Sequence, residues 1–227
     1  MRIDFITVLP EIVKPVLQTG MMKRAVDKGL CEFTVYDLRD FSQLKTHHID
    51  DTPYGGGAGM VLSPDPLFRC IEHCQSLHSY DEIIFLTPDG EPLSQPLANS
   101  LSLSKNLLLI SGRYKGIDQR VRDTFVTKNI SIGDYVLTGG ELPSLVLADA
   151  LIRLIPGVIS DAESSLSDSF QENFLDAPHY TKPANYRGLE VPPVLLSGNH
   201  ALINEWKLEQ SLEKTKRIRP DLLEKKL

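Results

Sequence analysis

The sequence predicts an α/β fold with a mostly parallel sheet. Three observations carry that reading. Short apolar or β-rich runs alternate with helical stretches through residues 1–159, the pattern of βαβ units. Several of the runs are apolar enough to be buried strands. Gly-bearing loops follow three of them, where open parallel sheets bind ligands.

The elements follow in order. Ile3–Val8 reads as a buried strand. Pro10 and Glu11 open a helix, and Gly20–Lys28 continues with helix formers. Cys31–Leu38 alternates and holds Phe33, Val35 and Tyr36, which makes it a second strand. Asp40–Leu62, rich in Gly, His and Asp, has no period and reads as a long loop of the functional or mobile kind. Pro64–His78 is helical. Glu82–Leu86 is a short strand ending at Thr87-Pro88-Asp89-Gly90, Pro92–Leu103 a helix, and Leu107–Ser111 a buried strand ending at Gly112. Ile117–Phe125 is a helix, Ile130–Ile132 a brief strand, Gly133–Gly140 a loop, and Glu141–Ile155 an apolar helix stopped by Pro156-Gly157.

Composition changes after that helix. Ser160–Gln171 is mostly Ser, Asp and Glu, and predicts a flexible linker over 160–175 between a ligand-binding domain (1–159) and a small helical one (176–227). The C-terminal unit holds Val191–Leu196 and a helix over Asn199–Arg219. No internal repeat is visible.

The 227 residues are 41% hydrophobic and 24% charged, values of a soluble globular chain rather than a disordered one. Net charge is −6, so any nucleic-acid surface must be a local basic patch. Three sparse cysteines, Cys31, Cys70 and Cys74, suggest reduced thiols and a cytoplasmic protein. Cys70, His73, Cys74 and His78 have helical spacing, but one short segment cannot readily surround a zinc ion, so a structural role is expected and no metal site is assigned. The acid in Met1-Arg2-Ile3-Asp4-Phe5 argues against a signal peptide, and no apolar run nears the roughly 20 residues of a membrane span.

Chemistry concentrates in the loops. Thr87–Gly90, Gly112-Arg113-Tyr114-Lys115-Gly116 and Gly133–Gly140 each follow a strand, and glycine there lets backbone approach a ligand. Any one of them alone could be an ordinary turn. No dinucleotide fingerprint follows the first strand, and no phosphate loop of the G-x-x-x-x-G-K-[ST] type occurs. Gly55-Gly56-Gly57-Ala58-Gly59 lacks the lysine and hydroxyl of such a loop and could equally be a hinge.

One set of motifs is specific. His47-His48-Ile49-Asp50-Asp51-Thr52-Pro53-Tyr54-Gly55-Gly56-Gly57-Ala58-Gly59-Met60 resembles the signature loop of the bacterial tRNA (guanine-N1)-methyltransferases, the TrmD family. Ser111-Gly112-Arg113-Tyr114, Gly116-Ile117-Asp118 and Ser131–Pro143 are similar to further motifs of that family. So are Asp168-Ser169-Phe170, Pro178-His179-Tyr180-Thr181-Lys182-Pro183 and Val191–Gly198, in order along the whole chain.

The resemblance implies a SPOUT fold with a deep trefoil knot, and a homodimer whose active site combines both chains. It implies S-adenosyl-L-methionine as methyl donor, bound by Leu86, Thr87, Pro88, Asp89 and Gly90; by Gly112, Tyr114, Lys115 and Gly116; and by Ser131, Ile132, Gly133, Tyr135, Leu137, Gly139, Gly140 and Pro143. The implied substrate is the guanine at tRNA position 37, 3′ of the anticodon and preceded by guanine. Asp50, Gly55, Gly56, Gly57, Gly59, Asp176, His179 and Ser197 are the expected substrate contacts.

Methylating guanine N1 needs its proton removed and the resulting charge on O6 stabilised. The resemblance gives these roles to Asp168 and Arg153. Read without it, Asp168 is a helix cap or linker residue, Arg153 a cation at a helix C-terminus, and Asp50 and Asp51 loop-shaping residues. Lys207, Lys214, Lys216, Arg217 and Arg219 interleave with Glu205, Glu209 and Glu213. They form either a solvated helix face or, as the resemblance implies, a contact with the tRNA anticodon arm. Lys115 stands where the family usually has glutamate; magnesium is a possible cofactor, and the lysine predicts a weaker need for it. A SPOUT enzyme with another RNA target, or a non-catalytic RNA-binding module, are the rival readings.

Overall fold

The computed structural model describes residues 1–159, 169–170 and 174–224 of the chain. The chain divides into two units, Met1–Ser160 and Asp161–Leu227. In the first, β1 (Arg2–Thr7) is followed by α1 (Pro10–Leu17), α2 (Gly20–Asp27) and β2 (Glu32–Asp37). A 3-10 turn, Leu38–Phe41, leads to the short strands β3 (Asp50–Asp51) and β4 (Val61–Leu62). Then come α3 (Pro64–Leu77), β5 (Glu82–Pro92), α4 (Gln95–Leu101), β6 (Asn106–Ser111), α5 (Gln119–Phe125), β7 (Lys128–Ser131) and α6 (Glu141–Ile152).

Five strands form one sheet in the order β2-β1-β6-β5-β7, and every neighbouring pair is parallel. Side chains alternate across it with period two. Ile3, Phe5, Ile84, Leu86, Leu107 and Leu109 face one core, shared with α1, α2, α4 and α6. Ile6, Ile83, Phe85, Leu108 and Ile110 face the other, under α3 and α5. Burial on both faces explains why these strands read as near-continuous apolar runs. Asp4 and Thr7 are buried polar residues in β1, and Asp4 bears a charge. Its carboxylate is fully buried and accepts from the Tyr80 hydroxyl and from Arg2.

Two elements differ from the sequence reading. Residues 40–62 are not without structure, because β3 and β4 pair antiparallel, Asp50 opposite Leu62 and Asp51 opposite Val61. Ile49 and Leu62 are buried, so the backbone there needs partners. Leu62 supplies them by donating to the Gly116 carbonyl, 3.0 Å, and accepting from the Asp118 amide, 3.0 Å. The second difference is β5, which runs on to Pro92. Leu86 and Glu91 both stand opposite Ile130, and Thr87–Gly90 bulges out between them. The turn signal in Pro88-Asp89-Gly90 is real, but it marks an excursion within a strand pairing. Helix α4 starts later than expected because Ser94 caps it, accepting from the Leu97 amide.

The second unit holds β8 (Asn185–Tyr186), β9 (Leu189–Glu190), α7 (Pro193–Leu196), α8 (His200–Ile218) and α9 (Asp221–Glu224). Asn199 caps α8 through the Leu202 amide. Of the expected linker, residues 160–168 and 171–173 lie outside the described residues. Its described part is tied to the C-terminal unit: the Leu175 amide donates to Thr215 Oγ1, 2.9 Å, and the Asp176 amide to Ser169 Oγ, 2.9 Å. Among the described residues no helix is long and apolar enough to cross a membrane.

Candidate functional site

The excursion within β5 and the loops that follow β6 and β7 enclose a cavity of about 240 Å³. Its floor is apolar, with Phe85, Leu86, Ile130 and Ile132, and Leu137 and Pro143 form part of the wall. This is where a parallel sheet exposes unpaired backbone groups and takes ligands. The volume lies just below the roughly 300–1,000 Å³ of small-molecule sites, which suits a compact ligand conformation.

Close backbone approach builds the cavity. Gly140 donates to the Gly112 carbonyl, 2.8 Å, and Arg113 bridges to Gly139. A Cβ on Gly140 would stand 2.8 Å from Ser111 Cα, so only glycine allows the two loops to touch. Below them lies a buried polar relay. Glu141, in the first turn of α6, accepts from Thr7 Oγ1 at 2.9 Å and faces Arg113 Nη1 at 3.5 Å. The carboxylate is also well placed against the positive end of α6. Ser111 and Ser144 share a buried hydroxyl contact of 2.9 Å beside it.

A family model, tRNA (Guanine-1)-methyltransferase TrmD, matches residues 1–225. The chain belongs to that family. It is 58% identical over 224 residues to a tRNA (guanine-N(1)-)-methyltransferase of Bacteroides thetaiotaomicron, covering 99% of this chain and 100% of the relative. A protein of the same name from Flavobacterium psychrophilum is 55% identical over the same shares. One from Chlorobium chlorochromatii is 53% identical, over 99% of this chain and 97% of that one. The SPOUT architecture of the family agrees with the parallel sheet and helices of the first unit.

All the expected donor-binding residues except Asp89 and Gly90 line the cavity. Asp89 turns to α5 and pairs with Arg122 at 3.0 Å. The Thr87 hydroxyl, donating to it, and the Arg122 guanidinium hold its carboxyl below the ordinary value, against a partial opposing effect of burial. The Arg122 guanidinium lies 5.3 Å over the Phe85 ring. Gly90 packs on the backbone of β7, where a Cβ would meet Asn129 C at 2.5 Å. Phe85 and Ile130, which lie outside the expected loops, also line the cavity, as do Arg113, Val136 and Thr138, which lie within those loops but are not among the expected contacts. A signal for Phe85 existed in Gly112, whose Cβ would stand 2.7 Å from that ring.

The residues expected to contact substrate fall in two places. Asp50 sits in β3, 3.8 Å from His48 Nδ1. Gly55, Gly56, Gly57 and Gly59 have φ of +86, +79, +108 and +100°, a path that L-residues rarely follow. This exposed loop reaches the cavity's rim, since Lys115 donates to the Met60 carbonyl at 3.0 Å. In the C-terminal unit His179 Nε2 lies 2.7 Å from Asp176, and Lys214 donates to the Asp176 carbonyl at 2.9 Å. Ser197 ends α7, donating to the Val194 carbonyl.

Of the two expected catalytic residues, only Arg153 lies among the described residues. Arg153 is the C-cap of α6, while Gly140, at the cavity, is its N-cap. The 12 residues between them span about 18 Å, so Arg153 belongs to the end of the helix far from the cavity. Asp168 lies outside the described residues. Cys70 and Cys74 are buried in the core, and the His73 ring packs against Tyr36 and Phe41 at 5.9 and 5.4 Å. Among the described residues no three or more His, Cys, Asp or Glu side chains are grouped to hold a metal.

Proposed function

We propose that the chain transfers a methyl group to N1 of guanine 37 in tRNA, with S-adenosylmethionine as donor, giving N1-methylguanine and S-adenosylhomocysteine. The observation that carries the reading is the cavity of three touching loops in a chain of this family. Its residues fit an adenosine-bearing ligand. An apolar slot suits a purine face, the glycine backbone admits close approach, and two cations, Arg113 and Lys115, stand on the wall.

When bound, the donor supplies a methyl group from its sulfonium. The protein's own work is at the base. Asp168 takes the proton from N1, and Arg153 donates to O6, where the negative charge of the deprotonated purine spreads. A carboxylate is a weak base toward N1, so the guanidinium must lower the cost of that anion.

A second copy of the chain completes the site in this proposal. Arg153 is remote from its own chain's cavity, and α6 carries an exposed apolar pair one turn apart, Leu142 and Val146. Val136, at the cavity, is also largely exposed. Such a patch on a helix flanking a site suits a self-complementary interface. The knot and a cytoplasmic location belong to the same proposal, as does recognition of the anticodon arm by the C-terminal unit.

The test is incubation with labelled S-adenosylmethionine and tRNA transcripts carrying guanine at positions 36 and 37, followed by nucleoside mass spectrometry. N1-methylguanine at position 37, lost when guanine 36 is replaced, is the expected result. Ribose methylation, or no transfer at all, would overturn the reading.

A further inference from the structure

The charged side chains lining the cavity are Arg113 and Lys115, both cations. They are not equivalent. Arg113 already faces the buried Glu141 carboxylate at 3.5 Å. Lys115 has no carboxylate partner among the described residues, and its base is held in place. Its amide donates to the Met60 carbonyl at 3.0 Å, and its stem lies across Gly59. A Cβ on Gly59 would come 3.1 Å from Lys115 Cγ and 3.3 Å from Cε, so the glycine leaves the groove in which the stem runs. Lys115 thus stands at the wall on a supported stem and meets no carboxylate among the described residues.

The proposed ligand has three charged groups: a sulfonium, an ammonium and a carboxylate. A cation attracts only the last. Guanidinium donors committed to Glu141 answer less strongly to a second anion than an ammonium that meets no carboxylate among the described residues. We propose that Lys115 binds the carboxylate at the amino-acid end of the ligand, and so sets the specificity of the cavity for the whole amino-acid nucleoside over adenosine fragments. This rests on reading the cavity as the donor site.

Calorimetric titration of the full chain with S-adenosylhomocysteine and with 5′-methylthioadenosine tests both readings separately. The second compound shares the adenosine and the thioether but lacks the amino-acid end. Lys115→Met keeps an unbranched stem over Gly59 and removes the charge. It should weaken S-adenosylhomocysteine roughly five- to twentyfold while leaving 5′-methylthioadenosine within about twofold. Lys115→Arg should restore most of the loss. An equal loss on both compounds, or an unchanged affinity for S-adenosylhomocysteine, would overturn the assignment of Lys115 alone. Failure of the wild-type protein to bind either compound would overturn the donor-site reading, and the assignment with it.

Discussion

Replacing Gly140 with alanine probes the contact on which the cavity depends. The backbone at Gly140 has φ −85°, so alanine itself is not strained there. The cost is collision. The new methyl would stand 2.8 Å from Ser111 Cα, 2.9 Å from Gly112 N and 3.1 Å from Ser111 C. All three are backbone atoms at the end of β6, so no rotamer change relieves them. The loops must part, which stretches the 2.8 Å hydrogen bond from Gly140 to Gly112. Overpacking of this kind costs about 1–3 kcal/mol, and a weakened hydrogen bond adds about 1 kcal/mol. A total of about 2–4 kcal/mol corresponds to a fall in Tm of roughly 5–15 °C for a chain of this size. Scanning calorimetry measures the stability and titration with S-adenosylhomocysteine the cavity; both should fall together. A variant with Tm within about 1 °C of wild type and unchanged affinity would refute the contact as the organising feature.

Four further outcomes are expected. Asp168→Asn should abolish single-turnover methyl transfer while leaving donor affinity within about threefold, since its role is to take a proton rather than to bind; a near-wild-type rate would remove Asp168 as the base. Light scattering should give twice the chain mass of 25.4 kDa, and a monomer that stays fully active at the same concentration would exclude a shared site. Burial pushes the Cys31 thiol from 9.0 up to about 11, so its contribution is whole below about pH 9 and is lost as pH rises through about 11. That contribution is about 2–3 kcal/mol. Urea midpoints across this window should fall less in Cys31→Ala, and parallel curves for the two proteins would exclude the thiol. Finally, the wild-type enzyme should keep more activity in EDTA than Lys115→Glu does, measured on tRNA folded beforehand; equal losses would make Lys115 irrelevant to metal dependence.

The sheet was legible because β1, β5 and β6 are buried on both faces, which leaves apolar runs no other element explains as well. The cavity loops were legible through glycine. What escaped the sequence was set by distant pairing. β3 and β4 have two residues each and owe their position to Gly116 and Asp118, more than 50 residues further on. Arg113 meets Glu141, 28 residues away, through a gap that Gly139 leaves open. No local pattern announces such a pair. Arg153 shows the reverse case, a residue noticed in sequence that the fold places at the end of α6 away from the cavity.

The excursion in β5 has a consequence for how this cavity can change over generations. Leu86 and Glu91 both answer Ile130, so the sheet resumes after Thr87–Gly90 as though nothing had intervened. Side chains before and after must keep their alternation: Ile84 and Leu86 point into one core, and Leu93 rejoins that core beyond the excursion. The alternation beyond the excursion is set by Glu91 standing opposite Ile130, not by the number of residues that loop out before it. Gly90 is held by the β7 backbone, but Thr87 and Pro88 face the cavity. Because the segment lies outside the pairing, its length and the residues Thr87 and Pro88 can change and reshape the ligand site while Leu93 keeps its place in the core.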